Sequence, residues 1–320
     1  MHDVSRHVAR RAGLLALAAC LFASCTQEAP NRETAPSRTA SASPTPSESV
    51  GGAGTAVPQP TPDQVPRGLP TLSARANAAT VARQLDRVSE TLRDPDATAT
   101  DVRRAAEFQQ LAVRTLATRS GAFRQQVIGE LHPETSLFIR SDVRAARLLH
   151  AISRPQPALP RWRIVAPPPA RRLLGYYREA ERRIGVPWAY LAAIHLVETR
   201  MGRIRGVSTA GAHGPMQFLP STWELYGAGG DIDDPRDAIL AAARLLRANG
   251  APGDMADALW HYNQSDNYVR AVTEHARAMQ RSPVAYRGYW HWRVLYRHTR
   301  GTYVLPVGYP GTPAVLVAGG

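Results

Sequence analysis

The chain has 320 residues, 44% of them hydrophobic, and a formal net charge of +13, which is enough apolar content for one or two ordinary domains plus non-globular segments. It contains no lysine, so all 39 basic residues are arginine; no run of them reads as a basic tail, and the charge reads as a bias spread over helix surfaces rather than a polyanion site. The two cysteines, Cys20 and Cys25, lie close to the N-terminus, which excludes a disulfide or a thiolate metal site from the remainder, and the absence of zinc-finger spacing and of a Gly–aromatic sheet signature gives no expectation of a nucleic-acid partner.

Residues 1–25 read as a lipoprotein-type signal peptide. Arg6, Arg10 and Arg11 precede a small and apolar run from Ala12 to Ala23, too short for a comfortable membrane span but suited to the apolar region of an export signal. The run ends in "LFASC", whose Cys25 is the expected lipidation site. "LAAC" at Cys20 is the competing site, but acylation there would leave Leu21 and Phe22 just after the anchor. An ordinary cleaved signal is the other reading. The expectation is a protein exported and lipid-anchored to the outer face of the plasma membrane, in the cell envelope. Residues 26–72 are rich in Pro, Ser and Thr; such a segment cannot bury enough apolar surface to fold and reads as a disordered tether.

Residues 73–154 form a helical N-terminal region. Val81, Leu85, Val88 and Leu92 recur at helical spacing, as do Phe108, Leu111, Val113 and Leu116, and later Val143, Leu148 and Leu149. "DPDATATD" separates the first two helices, and Pro133 opens another. No chemistry is legible here, and a cell-wall protein partner is the role this region could serve. Residues 155–170 are a Pro-rich linker or wrapping segment. From Arg171 the pattern is helical again. "DDPRDAILAAARLLRANG" is the clearest helix, with Asp234 as N-cap, Pro235 at its first position, Asp237 in its first turn and Asn249-Gly250 at its end. Residues 282–320 are a C-terminal extension in which "RGTYVLPVGY" looks extended. The fold class is all-α with minor β.

Chemistry is sparse. No G-x-S-x-G and no cysteine is available as a nucleophile. His195 and Glu198 make H-x-x-E, but Thr199 stands where an inverted zinc motif needs histidine, so no metal and no cofactor is expected; His195 reads as a core histidine. The acidic stretch "GGDIDDPRD" lacks the calcium-loop register and reads as turn chemistry and helix capping. Glu198 remains. Its same-side neighbours Leu191, Ile194 and His195 predict partial desolvation, which raises a carboxyl pKa toward the range a general acid needs. An exposed glutamate paired with Arg200 or Arg203 is the plainer alternative.

"AAIHLVETRMGR", "STAGAHGPMQFLPSTWELYG", "DPRDAILAAARLL" and "ALWHYNQSDNYVRAV", in this order and spacing, resemble the lytic transglycosylases, lysozyme-like enzymes that cleave peptidoglycan. The resemblance spans residues 171–281, the expected catalytic domain, and with the signal suggests the membrane-bound murein transglycosylase B type. It implies that Glu198 is a single catalytic acid and base, that Ser208 contacts the N-acetyl region of a sugar, that Met216, Gln217 and Phe218 line the floor of a glycan groove, and that Tyr262 and Asn263 orient sugar and intermediate. Gly211 and Gly214 are expected to permit the turns of this loop and to leave room for a sugar ring. "VETRMGR" departs from the commoner E-S-x-F or E-T-x-F, and His213 stands where a small or hydrophobic residue is frequent. The implied reaction is cleavage of MurNAc–GlcNAc β-1,4 bonds to 1,6-anhydromuramyl products. The competing readings are a hydrolytic muramidase and a non-catalytic peptidoglycan-binding or scaffold module.

Overall fold

A computed structural model describes residues 76–319. The signal-like segment, Cys25 and the tether lie outside the described residues. The first four helices are α1 (Ala78–Arg93), α2 (Ala99–Thr118), α3 (Gly121–Glu130) and α4 (Pro133–Ile152). Each begins where local chemistry tells it to. The side chains of Asn77, Thr98 and Ser120 accept the backbone N–H of Thr80, Asp101 and Phe123, and Pro133 sits at the first turn of α4. The sequence pattern does not reveal α3, because Val127 is its one buried residue and it carries no apolar stripe.

The segment after α4 wraps rather than merely connects. It contributes β1 (Arg163–Ile164), paired antiparallel with β2 (Ile204–Arg205). Between them lie α5 (Ala170–Ile184), ended by Gly185 in the left-handed region at φ 86°, and α6 (Trp188–Thr199). Then follow α7 (Pro220–Tyr226), α8 (Pro235–Ala248), α9 (Met255–Tyr262), α10 (Asp266–Arg281) and α11 (Pro283–His291). The ends of α8 are those read from the sequence: the Asp234 carboxylate accepts the N–H of both Arg236 and Asp237. The chain closes with β3 (Val294–His298), β4 (Gly301–Leu305) and β5 (Val315–Gly319), an antiparallel meander. The fold is thus mainly helical with minor β.

α6 is apolar on nearly every side, and Ala189 and the run Leu191–Thr199 are buried; a helix of that kind belongs at the centre. It sits against α5 and α10, and α10 also packs along α4. One hydrophobic core therefore runs from Val81 and Leu85 of α1 through Phe138 and Ile139 of α4 to Tyr289 and Trp292. A second, small core under the meander joins Ile164, Ile204, Val294 and Leu305. Where α4 meets α10 and α11, a polar node interrupts the apolar packing. Asp142 is fully buried, accepts the Tyr289 hydroxyl and the Gln109 amide, and lies 3.5 Å from His275 Nδ1. Burial raises its carboxyl above the ordinary value, with His275 and Tyr289 opposing.

Candidate active site

Glu198 occupies the last turn of α6 and is 3% exposed. Leu191, Ile194 and His195 around it are wholly buried, as the helical spacing requires. The Tyr268 hydroxyl, from the first turn of α10, donates to Glu198 Oε1 at 2.6 Å. Burial pushes the carboxyl from its ordinary 4.5 up to about 8; the Tyr268 hydrogen bond opposes this by favouring the charged form. No other ionisable group perturbs Glu198 among the described residues. Arg200 and Arg203 make no ion pair with it: Arg203 donates instead to the carbonyls of Arg200 and Trp290.

His195, one turn before the acid, is a core residue. Its Nδ1 lies 2.7 Å from the Tyr177 hydroxyl, and burial depresses its pKa to about 3, so it stays neutral. Beyond Glu198 the backbone turns sharply, with Arg200, Met201 and Gly202 in succession at φ 54°, 61° and 81°. Two of these are not glycine, a conformation that costs energy and persists only where the surroundings enforce it. Part of the enforcement comes from Thr199, whose hydroxyl accepts the N–H of Gly202 at 3.1 Å and donates to the carbonyl of Pro215 at 2.6 Å.

That second bond ties α6 to the loop 208–219. Ser208 starts the loop with its hydroxyl accepting the N–H of Ala210 and Ala212. His213 and Phe218 pair across a narrow antiparallel bridge. The Tyr262 hydroxyl, from α9, donates to the Met216 carbonyl at 2.6 Å. Aromatic edges continue outward from Tyr262 to Phe218 and from Phe218 to Trp223. Met216 and Phe218 are buried, and the Gln217 amide donates to the Gly214 carbonyl at 3.0 Å. Asn263, at the C-terminal end of α9, is 6% exposed.

One of the two glycine readings of this loop changes. Gly211 does face open space, at φ 84°. Gly214 does not leave room for a sugar: at φ 76°, a Cβ there would stand 2.1 Å from the carbonyl oxygen of Ile232. Its missing side chain admits the neighbouring chain segment, not a ligand. In that segment Asp231 and Asp237 accept backbone N–H groups and Asp234 caps α8, and no group of three or more acidic, His or Cys side chains suited to a metal occurs among the described residues.

The residue that the sequence reading missed is Tyr268. It lies in the segment "ALWHYNQSDNYVRAV" beside the Tyr262–Asn263 pair, but nothing local links position 268 to position 198.

A mainly helical scaffold whose central helix ends in a buried carboxyl, with the loop 208–219 held by hydroxyl-to-carbonyl bonds, is consistent with a lysozyme-like domain. Residues 175–284, from within α5 to the start of α11, match the family described as Transglycosylase SLT domain. This supports the lytic transglycosylase family and, in general terms, that family's activity on peptidoglycan. No curated protein and no solved structure gives a significant match to the chain.

Proposed function

We propose that the protein is an exported peptidoglycan lytic transglycosylase in which Glu198 alone serves as acid and then as base. The observation that carries this is the buried Glu198 carboxyl, raised to about 8, with Tyr268 as its hydrogen-bond donor and no second acid acting on it. A hydrolase of the ordinary kind needs two carboxylates flanking the bond. One suffices when the substrate supplies the remaining groups.

In the proposed reaction the Glu198 proton passes to the bridging oxygen of a MurNAc–GlcNAc bond. The N-acetyl carbonyl oxygen of MurNAc attacks C1 as the GlcNAc oxygen leaves. The Glu198 carboxylate, now stabilised by the Tyr268 hydroxyl, takes the proton of the C6 hydroxyl. O6 then bonds to C1 and releases the acetamido oxygen, closing the 1,6-anhydro ring and restoring the Glu198 proton. Ser208, Gln217, Tyr262 and Asn263 are the proposed substrate contacts. Met216 and Phe218, expected on the floor of the glycan groove, have buried side chains that pack into the core and are proposed to support the loop beneath that floor. Lipidation at Cys25 would hold the enzyme at the outer face of the plasma membrane.

Digestion of purified peptidoglycan followed by mass spectrometry tests the reading. Anhydromuropeptides that vanish with Glu198→Gln are the expected result. Reducing-end products would establish a muramidase instead, and unchanged glycan with retained binding to it would establish a non-catalytic module.

A further inference from the structure

The structure contains a pocket that none of the proposed glycan-site residues lines. It opens where α2, α4, the wrapping segment and the meander meet, and has a volume of about 120 Å³. Its apolar lining includes Val113 of α2, Leu149 of α4, Trp162 of the wrapping segment and Trp292 after α11. Its polar lining includes four arginines, Arg114, Arg154, Arg200 and Arg297, with His150 and His275. No carboxylate lines it; Asp142, 3.5 Å from the lining residue His275, is already engaged by Tyr289 and Gln109.

The arginines are unequal. Arg297 spends its guanidinium on the carbonyls of His150 and Ser153, so it is a structural member of the rim. Arg114 donates to Thr302 Oγ1 at 2.6 Å and meets no acid. Arg200 has no side-chain hydrogen bond or ion pair among the described residues. Burial comes first and Arg114 second in pulling the Arg200 guanidinium down to about 10. Two cations that disfavour each other in a low-dielectric pocket are an arrangement that an anion would relieve. A guanidinium offers carboxylate or phosphate a planar pair of donors, and its partners are then strongly bound.

We propose that this pocket binds a small amphipathic anion, a carboxylate or phosphate carried on an apolar group, with Arg114 and Arg200 holding the head and the Val113, Leu149, Trp162 and Trp292 lining receiving the body. The assignment does not depend on the catalytic reading of Glu198. Isothermal titration of the full-length chain with benzoate, phenyl phosphate, inorganic phosphate and benzyl alcohol tests it. Benzoate or phenyl phosphate is expected to bind one per chain, and the tighter of the two identifies the head group. Benzyl alcohol and inorganic phosphate should bind at least roughly tenfold more weakly, and Arg200→Gln or Arg114→Gln should each weaken the preferred probe by a similar factor. Ala146→Phe, which fills the cavity without touching an arginine, should abolish binding, and Glu198→Gln should bind as the parent does. Because Arg200→Gln removes one of two mutually repelling charges, its ligand-free melting temperature should not fall. Equal binding of benzyl alcohol, equal binding of inorganic phosphate, no binding of any probe, or undiminished binding in the Arg200→Gln and Ala146→Phe variants would each overturn the proposal.

Discussion

Replacing Glu198 by Gln should change the pH dependence of stability in a way that follows from its burial. The carboxyl is 3% exposed and its folded-state pKa is about 8 against an ordinary 4.5. An acid whose pKa rises on folding keeps its proton in the native state after the unfolded chain has lost it. Stability therefore declines as pH climbs from about 4.5 to about 8, then levels off. At about 1.36 kcal/mol per pH unit, that interval integrates to about 5 kcal/mol, and a folded-state value one unit lower still gives about 3 kcal/mol. Glutamine is nearly isosteric with the protonated acid, can accept the Tyr268 hydrogen bond through Oε1, and does not titrate. Below pH 5 the two proteins should differ little. By pH 9 the variant should be the more stable by several kcal/mol. Urea unfolding of both proteins at pH 5, 6, 7, 8 and 9 measures this directly, with every other titrating group cancelling in the difference. Parallel curves, or a gap under about 2 kcal/mol at pH 9, would mean that Glu198 is solvated or paired in solution, and the argument for a protonated general acid would fall with it.

The remaining predictions concern the supports of the site. Tyr268→Phe removes the group that favours the charged carboxylate, so the alkaline limb of the activity profile should move up by about one pH unit while kcat drops, since the base step loses its donor; a limb that moves down would contradict this. Gly214→Val meets both a φ of 76° and a backbone oxygen 2.1 Å from the new Cβ, and should cost about 3 kcal/mol or more by thermal melting, whereas Gly211→Ala, facing open space, should cost about 1 kcal/mol. Asp142→Ala strands buried partners on Tyr289 and Gln109, with an expected loss of about 3 kcal/mol and faster amide exchange in α4 and α10. Asp234→Ala deletes both capping bonds of α8 and should cost about 1 kcal/mol with the activity profile unchanged in shape.

The parts of the molecule that the sequence announces are those whose cause is local. α8 could be bounded to the residue because Asp234, Pro235, Asp237 and Asn249 each act within a turn of the helix end. The desolvation of Glu198 could be foreseen because Leu191 and Ile194 lie on its own helix, at spacings that bring them alongside. The features that escaped notice depend on distant partners. Tyr268 reaches Glu198 across 70 positions and Tyr289 reaches Asp142 across 147; neither pair leaves a mark on its own neighbourhood. Gly214 shows the same limit from the other side. A loop glycine beside expected sugar contacts suggests space for a ligand, but the space is filled by Ile232 from a later turn. α3 went unread because a helix with one buried residue has no stripe to detect.

The two hydroxyls that secure the loop 208–219, from Thr199 and Tyr262, both close on peptide carbonyls, those of Pro215 and Met216. A carbonyl is present whatever residue stands there. The anchoring side chains belong to α6 and α9, while the loop contributes only backbone at those two points. Two of the bonds that place the loop are thereby independent of its sequence: an exposed side chain such as that of Thr209 can change without loosening either anchor. For redesign, this leaves the exposed positions of the loop open to change, with Gly214 and the buried Met216 and Phe218 the positions to leave alone.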